Sequence, residues 1–239
     1  MWEIPTVKQL EESGVTLGHK PSKRHPKMEP FIKGVQGAVN VIDPEKTAEK
    51  LEDALKFVEE IVKQNGVILF VGTKPPAQTI IRKYAEDCGM PYVANKWLAG
   101  TLTNFETISY LIKKYLKMKE EKEKLEWSKY TKKEALGLER ELTRLEKMVG
   151  GISSLLKIPD VLYVVDLIEE KTAIREASRK KIKTVAIADT NSNPELVTYP
   201  IPANDDAIKS IDLITSLISQ AVNEGLNKRQ EKTKKSKTS

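Results

Sequence analysis

Three short, uninterrupted apolar runs, each leading into a helix-spaced segment or a turn-rich stretch, constrain this chain more than any other feature. Val67–Val71 (VILFV), Val161–Val165 (VLYVV) and Val185–Ala188 (VAIA) are continuous, not alternating, which is the form of a strand covered on both faces. Before the first run, Asp43-Pro44 reads as a helix start, with Asp at the cap and Pro at the first helical position. Ala48, Leu51, Leu55, Val58 and Val62 then fall at helical spacing, and Asn65-Gly66 supplies a stop. After the run, Gly72-Thr73-Lys74-Pro75-Pro76 leads into a helix burying Ile80, Ile81 and Tyr84 and ending near Cys88-Gly89, and Pro91 to Ala94 reads as another short strand. The second run ends at Asp166 and precedes a helix over residues 169–180 with Ala173, Ile174 and Ala177 inward. The third ends at Asp189; residues 190–205, rich in Asn, Pro and Asp, read as loop, and a last helix begins around Asp206. This alternation predicts a doubly wound, parallel α/β sheet.

One segment cannot belong to that sheet. From Lys117 to Lys147, 18 of 31 residues are charged, ten basic and eight acidic. Leu138, Leu142, Leu145, Val149 and Ile152 step by four, three, four and three, a heptad seam. Thr131-Lys132-Lys133-Glu134 is a capping box opening that helix. Ile108, Leu111, Ile112, Tyr115, Met118 and Leu125 mark an earlier amphipathic helix, with Trp127 to Tyr130 at the tip. Residues 104–149 therefore read as two antiparallel helices projecting from an α/β body formed by residues 1–103 and 150–226. A pair of ordinary surface helices is the alternative. A projecting hairpin of mixed charge suits an interaction lever better than a catalytic part.

The net charge of +6 is unevenly placed. Six basic residues against Glu231 give the stretch from Asn227 to Ser239 a net +5, and five (Lys20, Lys23, Arg24, Lys27, Lys33) against Glu29 give His19 to Lys33 a net +4, leaving −3 for the rest. Localised basicity of this kind is expected of arms that touch a polyanion. For residues 227–239 a solvated, disordered tail is the competing reading. In the earlier segment Pro21, Pro26 and Pro30 forbid an α-helix and suggest an extended arm with a fixed path. The longest apolar run has five residues, far short of the roughly 20 of a membrane helix, and the N-terminus has no signal-peptide pattern. A single cysteine, Cys88, and two histidines, His19 and His25, exclude an internal disulfide and Cys- or His-rich metal centres. The expectation is a soluble protein of a reducing compartment.

Enzyme chemistry finds little support. Doubly wound sheets bind ligands at the carboxyl ends of their strands, and here those ends offer Lys74, Asp166 and Asp189. Lys74 beside a helix start could hold a phosphate, and Asp166 with Asp189 could hold magnesium. No dinucleotide, P-loop or nucleophile-elbow pattern is present, however, and an Asp after a strand is commonly a cap or loop former. His19 is either a hydrogen-bonded loop histidine or, with Asp189 and Asp205, part of a divalent metal site. The stretch from Lys96 to Asn104 is either a packed turn around a core tryptophan, or a surface on which Lys96, Trp97, Thr101, Thr103 and Asn104 contact phosphates and sugars.

Several stretches together resemble a known family. EESGVTLGH at Glu11 to His19 with HPKM at His25 to Met28, LFVGTK at Leu69 to Lys74, KWLAGTLTNF at Lys96 to Phe105, LTRLEKMVGGI at Leu142 to Ile152, IPDVLYVVD at Ile158 to Asp166, AIADTNSNP at Ala186 to Pro194 and NDDAIKSIDLITSLI at Asn204 to Ile218 resemble ribosomal protein S-two of the bacterial small subunit, over about residues 7–226. The resemblance implies a flavodoxin-like α/β body with a protruding coiled-coil hairpin. It implies a non-catalytic, cytoplasmic protein of the ribosome that binds small-subunit ribosomal RNA where head and body meet. It also implies docking of neighbouring small-subunit proteins, the large protein S-one through the hairpin among them, with no membrane partner. The RNA contacts are then expected at Lys20, Lys23, Arg24, His25, Lys27, Lys33, Lys74, Lys96, Trp97, Thr101, Thr103 and Asn104. No cofactor is required, and a structural zinc or magnesium at His19, Asp189 and Asp205 also accords with the family. The chain departs from the pattern at Lys23-Arg24-His25, where the family has an aromatic, at Ala99, where a glycine is usual, and in its short hairpin tip.

Overall fold

The structure is a computed structural model that describes residues 2–237, without the side chains of 126, 128 and 232–237. Its centre is a five-stranded sheet of β3 (Ile68–Val71), β4 (Tyr92–Val93), β5 (Val161–Val165), β6 (Lys183–Ala188) and β7 (Tyr199–Pro202), in the order β4-β3-β5-β6-β7 with every pairing parallel. Numbered within the sheet this is 2-1-3-4-5, the flavodoxin-like order. The three apolar runs form β3, β5 and β6, and the side chains of β3 and β5 are buried throughout. The stretch expected to be loop holds β7, an edge strand containing Pro200 and Pro202. An edge strand tolerates prolines because one of its sides owes no ladder hydrogen bonds.

Helices cover both faces. On one, α2 (Pro44–Lys63), α3 (Pro75–Asp87) and α7 (Ile208–Lys237) bury Leu51, Leu55, Ile81, Ile214 and Ile218 against Phe70 and Tyr163. Asp43 caps α2 as expected, accepting from Glu45 N at 3.0 Å, and Asn65 adopts the left-handed conformation just beyond its end. On the other face lie α4 (Phe105–Glu123), α5 (Lys132–Val149) and α6 (Lys171–Lys180), with Ile108, Ile112, Leu145, Val149 and Ile174 against Leu69, Leu162 and Ala186. The predicted capping box at Thr131 and Glu134 opens α5. Leu125 departs from the expected stripe: it lies beyond α4 in a left-handed conformation and is 74% exposed, while Trp127 folds back and is buried.

Two further expectations are corrected. The proline-rich arm is not extended throughout. It forms 3-10 turns at Pro21–Lys23 and Pro26–Phe31, with Pro21 and Pro26 at their first positions, where a missing N–H costs nothing. It then runs into an antiparallel hairpin of β1 (Ile32–Gln36) and β2 (Val39–Ile42), turned by Gly37 and Ala38, both at positive φ, the geometry of a type I′ turn. A short N-terminal helix, α1 (Val7–Glu12), precedes the arm. The tail expected to be disordered from residue 227 continues α7 to Lys237, because no Pro or Gly interrupts its helix-forming Lys, Gln and Glu. Lys228 pairs with Glu59 of α2 at 2.5 Å. Residues 238–239 of that tail lie outside the described residues.

Candidate nucleic-acid interface

The basic arm is exposed but anchored. His25 N donates to Thr190 O at 2.8 Å, Met28 is fully buried, and His25 Nδ1 accepts from Lys27 N at 3.2 Å, capping the second 3-10 turn. At the arm's start Gly18 N donates to Asn40 O at 2.8 Å, and His19 N donates to Thr190 Oγ1 at the same distance. A Cβ on Gly18 would lie 2.5 Å from the Thr190 side chain, so only glycine allows this approach. Lys20, Lys23, Arg24, Lys27 and Lys33 are all exposed. Lys27 reaches Glu195 at 2.8 Å and Arg24 reaches Glu29 at 3.8 Å. Among the described residues Lys20, Lys23 and Lys33 have no ion-pair partner. Exposed pairs such as those of Lys27 and Arg24 are weak, so phosphates can displace them.

The crevice at the carboxyl ends of β3 and β5, where a doubly wound sheet takes its ligand, is occupied by the protein's own charges. Lys74 Nζ lies 2.8 Å from Asp205 Oδ1, 2.5 Å from Asp206 Oδ1 and 3.1 Å from Asp166 Oδ2. Burial works to lower its pKa, but the hydrogen bonds to Asp205 and Asp206 outweigh burial and hold the ammonium well above its ordinary value. Burial, with the charges of Asp166 and Asp189, pushes the Asp205 carboxyl up to about 7 despite Lys74. The buried carboxylate of Glu170 accepts from Thr73 N at 2.6 Å, taking a backbone donor that a phosphate would need. Asp166 and Asp189 serve largely as loop formers: the first accepts from Ile168 N and Glu169 N, the second from Thr190 N and Oγ1.

His19 does lie beside its proposed metal partners. Its Nδ1 is 3.2 Å from Asp189 Oδ2 and its Nε2 is 3.4 Å from Asp206 Oδ2. The Asp189 contact, against burial, raises its pKa, and Asp205 and Asp206 add to the rise. Asp205, the third of the proposed set, instead has its Oδ1 on Lys74 Nζ at 2.8 Å. Among the described residues no group of three or more His, Cys, Asp or Glu side chains is arranged to hold a metal ion, and the Lys74 ammonium supplies the positive charge these carboxylates face.

The Lys96–Asn104 loop is organised from within by Glu176 of α6. This buried carboxylate accepts from Trp97 Nε1 (3.1 Å), Gly100 N (2.8 Å), Leu102 N (3.0 Å), Thr103 N (3.1 Å) and Thr103 Oγ1 (3.2 Å). Burial works to raise its pKa, but the hydrogen bonds from Gly100, Trp97, Leu102 and Thr103 prevail and hold it below the usual carboxylate range. Thr101 is buried and donates to Leu98 O at 2.6 Å. Of the twelve positions expected to meet RNA, Lys74, Trp97, Thr101 and Thr103 thus have their polar donors committed internally, because each is held by stronger protein partners. Lys96, Thr103 and Asn104 stay on the surface.

The family model for ribosomal protein S2 matches residues 10–225. That span includes the arm, the sheet and the whole loop held by Glu176. The chain belongs to the ribosomal protein S2 family. It is 46% identical over 227 residues to the small ribosomal subunit protein uS2 of Coprothermobacter proteolyticus, covering 95% of this chain and 85% of that protein. It is likewise 46% identical over 225 residues to the uS2 proteins of Dictyoglomus thermophilum and Dictyoglomus turgidum, covering 94% of this chain and 92% of each. A ribosomal protein S2 is a structural component of the small subunit, non-catalytic and placed with the translation machinery in the bacterial cytoplasm. The self-occupied crevice suits that role, since a flavodoxin-like sheet used as a platform needs no open ligand site.

Sequence reading missed Glu176 and Glu170, the two carboxylates that lock the family's loops. Their signal was faint but present: each is an acidic residue beside the inward positions Ala173, Ile174 and Ala177, where an unpaired charge would not be tolerated. It also missed the exposed cations of α6.

Proposed function

We propose that this chain is a structural constituent of the small ribosomal subunit that binds ribosomal RNA at the head–body junction through its N-terminal arm. The observation that carries the reading is the arm itself: Lys20, Lys23 and Lys33 are exposed and without ion-pair partners among the described residues, on a segment fixed by His25, Met28 and Thr190. A held cationic segment pays little ordering entropy on binding and meets phosphates as point charges. Arg24, His25, Lys27, Lys96 and Asn104 extend this contact. Recognition rests mainly on RNA shape and backbone.

The helices α4 and α5 form a coiled-coil hairpin that protrudes from the body and docks neighbouring small-subunit proteins, S-one among them. Its surface supports this: Tyr110, Leu116, Leu125, Tyr130 and Leu136 are exposed apolar side chains along it and at its tip, while the pairs Lys114–Glu141 and Lys122–Glu139 tie α4 to α5. Sedimentation of a lysate at low and high salt tests the whole reading. The chain is expected to travel with the small subunit and to be shed as salt rises; a chain that stays at the top of the gradient under both conditions refutes it.

A further inference from the structure

The outer face of α6 carries cations that nothing on the protein neutralises. From Lys171 to Lys183 there are six basic residues against one acid, Glu176, a net +5 equal to that of the C-terminal stretch. Glu176 is turned inward to the Lys96–Asn104 loop, so the exposed face is purely cationic. Lys171, Arg175 and Arg179 recur every four residues on one side of the helix, opposite Ala173, Ile174 and Ala177, a row about 12 Å long at 1.5 Å per residue. Among the described residues none of Lys171, Arg175, Arg179, Lys180, Lys181 and Lys183 has an ion-pair partner, although most lysines of α2 do.

Helix electrostatics do not explain the row. Cations in the last turn, Arg179 and Lys180, favour the helix dipole, but Lys171 stands in the first turn, where a positive charge opposes it. Nor is the row isolated. Lys171, Arg175, Ser178 and Arg179 line a cleft of 590 Å³ that Glu195 and Leu196 also line. Glu195 is the residue that Lys27 of the arm reaches. A second shallow cleft shares Ser178, Glu195 and Leu196 and adds Lys181 and Lys183. Glu195 is therefore shared by the arm's ion pair and the clefts beside α6.

We infer that the outer face of α6 is a second contact for the sugar-phosphate backbone of small-subunit ribosomal RNA, continuous with the arm across Glu195. Lys171, Arg175 and Arg179 take phosphates along the row, Lys181 and Lys183 extend it, and Ser178 contributes a hydroxyl donor. This deepens the RNA-binding reading above and rests on it.

The test is salt-dependent binding of the full chain to transcribed small-subunit ribosomal RNA between about 50 and about 200 mM salt. Three proteins are compared: wild type, Lys171→Gln/Arg175→Gln/Arg179→Gln, and Lys20→Gln/Lys23→Gln/Lys33→Gln. The α6 variant is expected to lower the slope of log affinity against log salt by about two to three units, at 0.7 to 0.9 per phosphate contact, and the arm variant by a similar amount. Lys171 with Arg175→Lys/Arg179→Lys is expected to keep the wild-type slope. If the triple α6 variant does not fold, Arg175→Gln alone is expected to lower the slope by about 0.7 to 0.9. A wild-type slope in the folded α6 variant, with a reduced slope in the arm variant, overturns the inference and leaves the RNA-binding reading intact. No salt-dependent binding by wild type overturns both. An unchanged RNA slope combined with loss of the α6 variant from isolated small subunits assigns the face to an acidic protein and also overturns the inference.

Discussion

The helices α4 and α5 and the helix α6 are both crowded with lysine and arginine, yet they differ in the acids that accompany those cations. Between α4 and α5, Lys114 meets Glu141 at 2.9 Å and Lys122 meets Glu139 at 3.4 Å; along them, Lys124 meets Glu120 and Arg144 meets Glu141. Hydrogen bonds from Arg144 and Lys114 depress the Glu141 carboxyl to about 2. On α6 the single acid, Glu176, turns into the body, and its cations face outward unmatched. What distinguishes the α6 stretch is therefore its net charge, +5 over Lys171 to Lys183 against +2 over Lys117 to Lys147, and not its number of cations. Helices α4 and α5, with ten basic and eight acidic residues over Lys117 to Lys147, balance most of their charge in number and present apolar side chains. The α6 face and the arm leave their cations for something else.

The largest effect expected from breaking this contrast is at its inward hinge. Glu176→Ala strands the indole of Trp97 and three backbone N–H groups without their acceptor, and is expected to destabilise the protein by about 3 to 5 kcal/mol in denaturant unfolding, the range for removing one partner of a buried charge network. An effect below about 1 kcal/mol would mean that the loop does not depend on this carboxylate. Lys74→Met comes next. It leaves Asp166, Asp205 and Asp206 facing one another, and is expected to cost about 3 kcal/mol. Adding Asp205→Asn should recover part of that loss in a double-mutant cycle, and strict additivity would show that the two side chains are not coupled.

Acid titration sharpens the same point with a smaller effect. The folded-state pKa of Glu176 is depressed, so its stabilisation is complete above the unfolded value of about 4.3 and is lost as pH falls through the folded value. Glu176→Gln should therefore show a shallower loss of stability than wild type below about pH 4; parallel acid limbs would refute the assignment. The smallest effect is expected in the hairpin. Exposed ion pairs contribute little, so Lys122→Ala with Glu139→Ala should leave the unfolding midpoint unchanged and shift the RNA salt slope by less than about one unit. A drop as large as that of the arm variant would erase the contrast between the two regions.

Much of the architecture is legible in local pattern. The continuous runs at β3, β5 and β6, the Asp43-Pro44 cap, the Asn65 stop and the Thr131–Glu134 capping box depend on neighbours within a few residues, and they appear where the pattern places them. Edge strand β7 and the β1–β2 hairpin escape local reading. The first contains prolines that only an edge position permits, and the second keeps few buried residues to give it a period.

The interface divides along the same line. Sequence alone determined the strand–helix alternation, the localised positive charge of the arm and the family's motifs, because composition and short-range spacing suffice for each. Tertiary structure decided which charges are free. Lys74 lies far in sequence from Asp205, and Trp97 from Glu176, and only folding brings them within hydrogen-bond reach. The same folding turns Glu176 inward and leaves the α6 cations outside. Pairing is a property of distance in space, which falls outside any window along the chain, and it separates the charges that hold this protein together from those it offers to a partner.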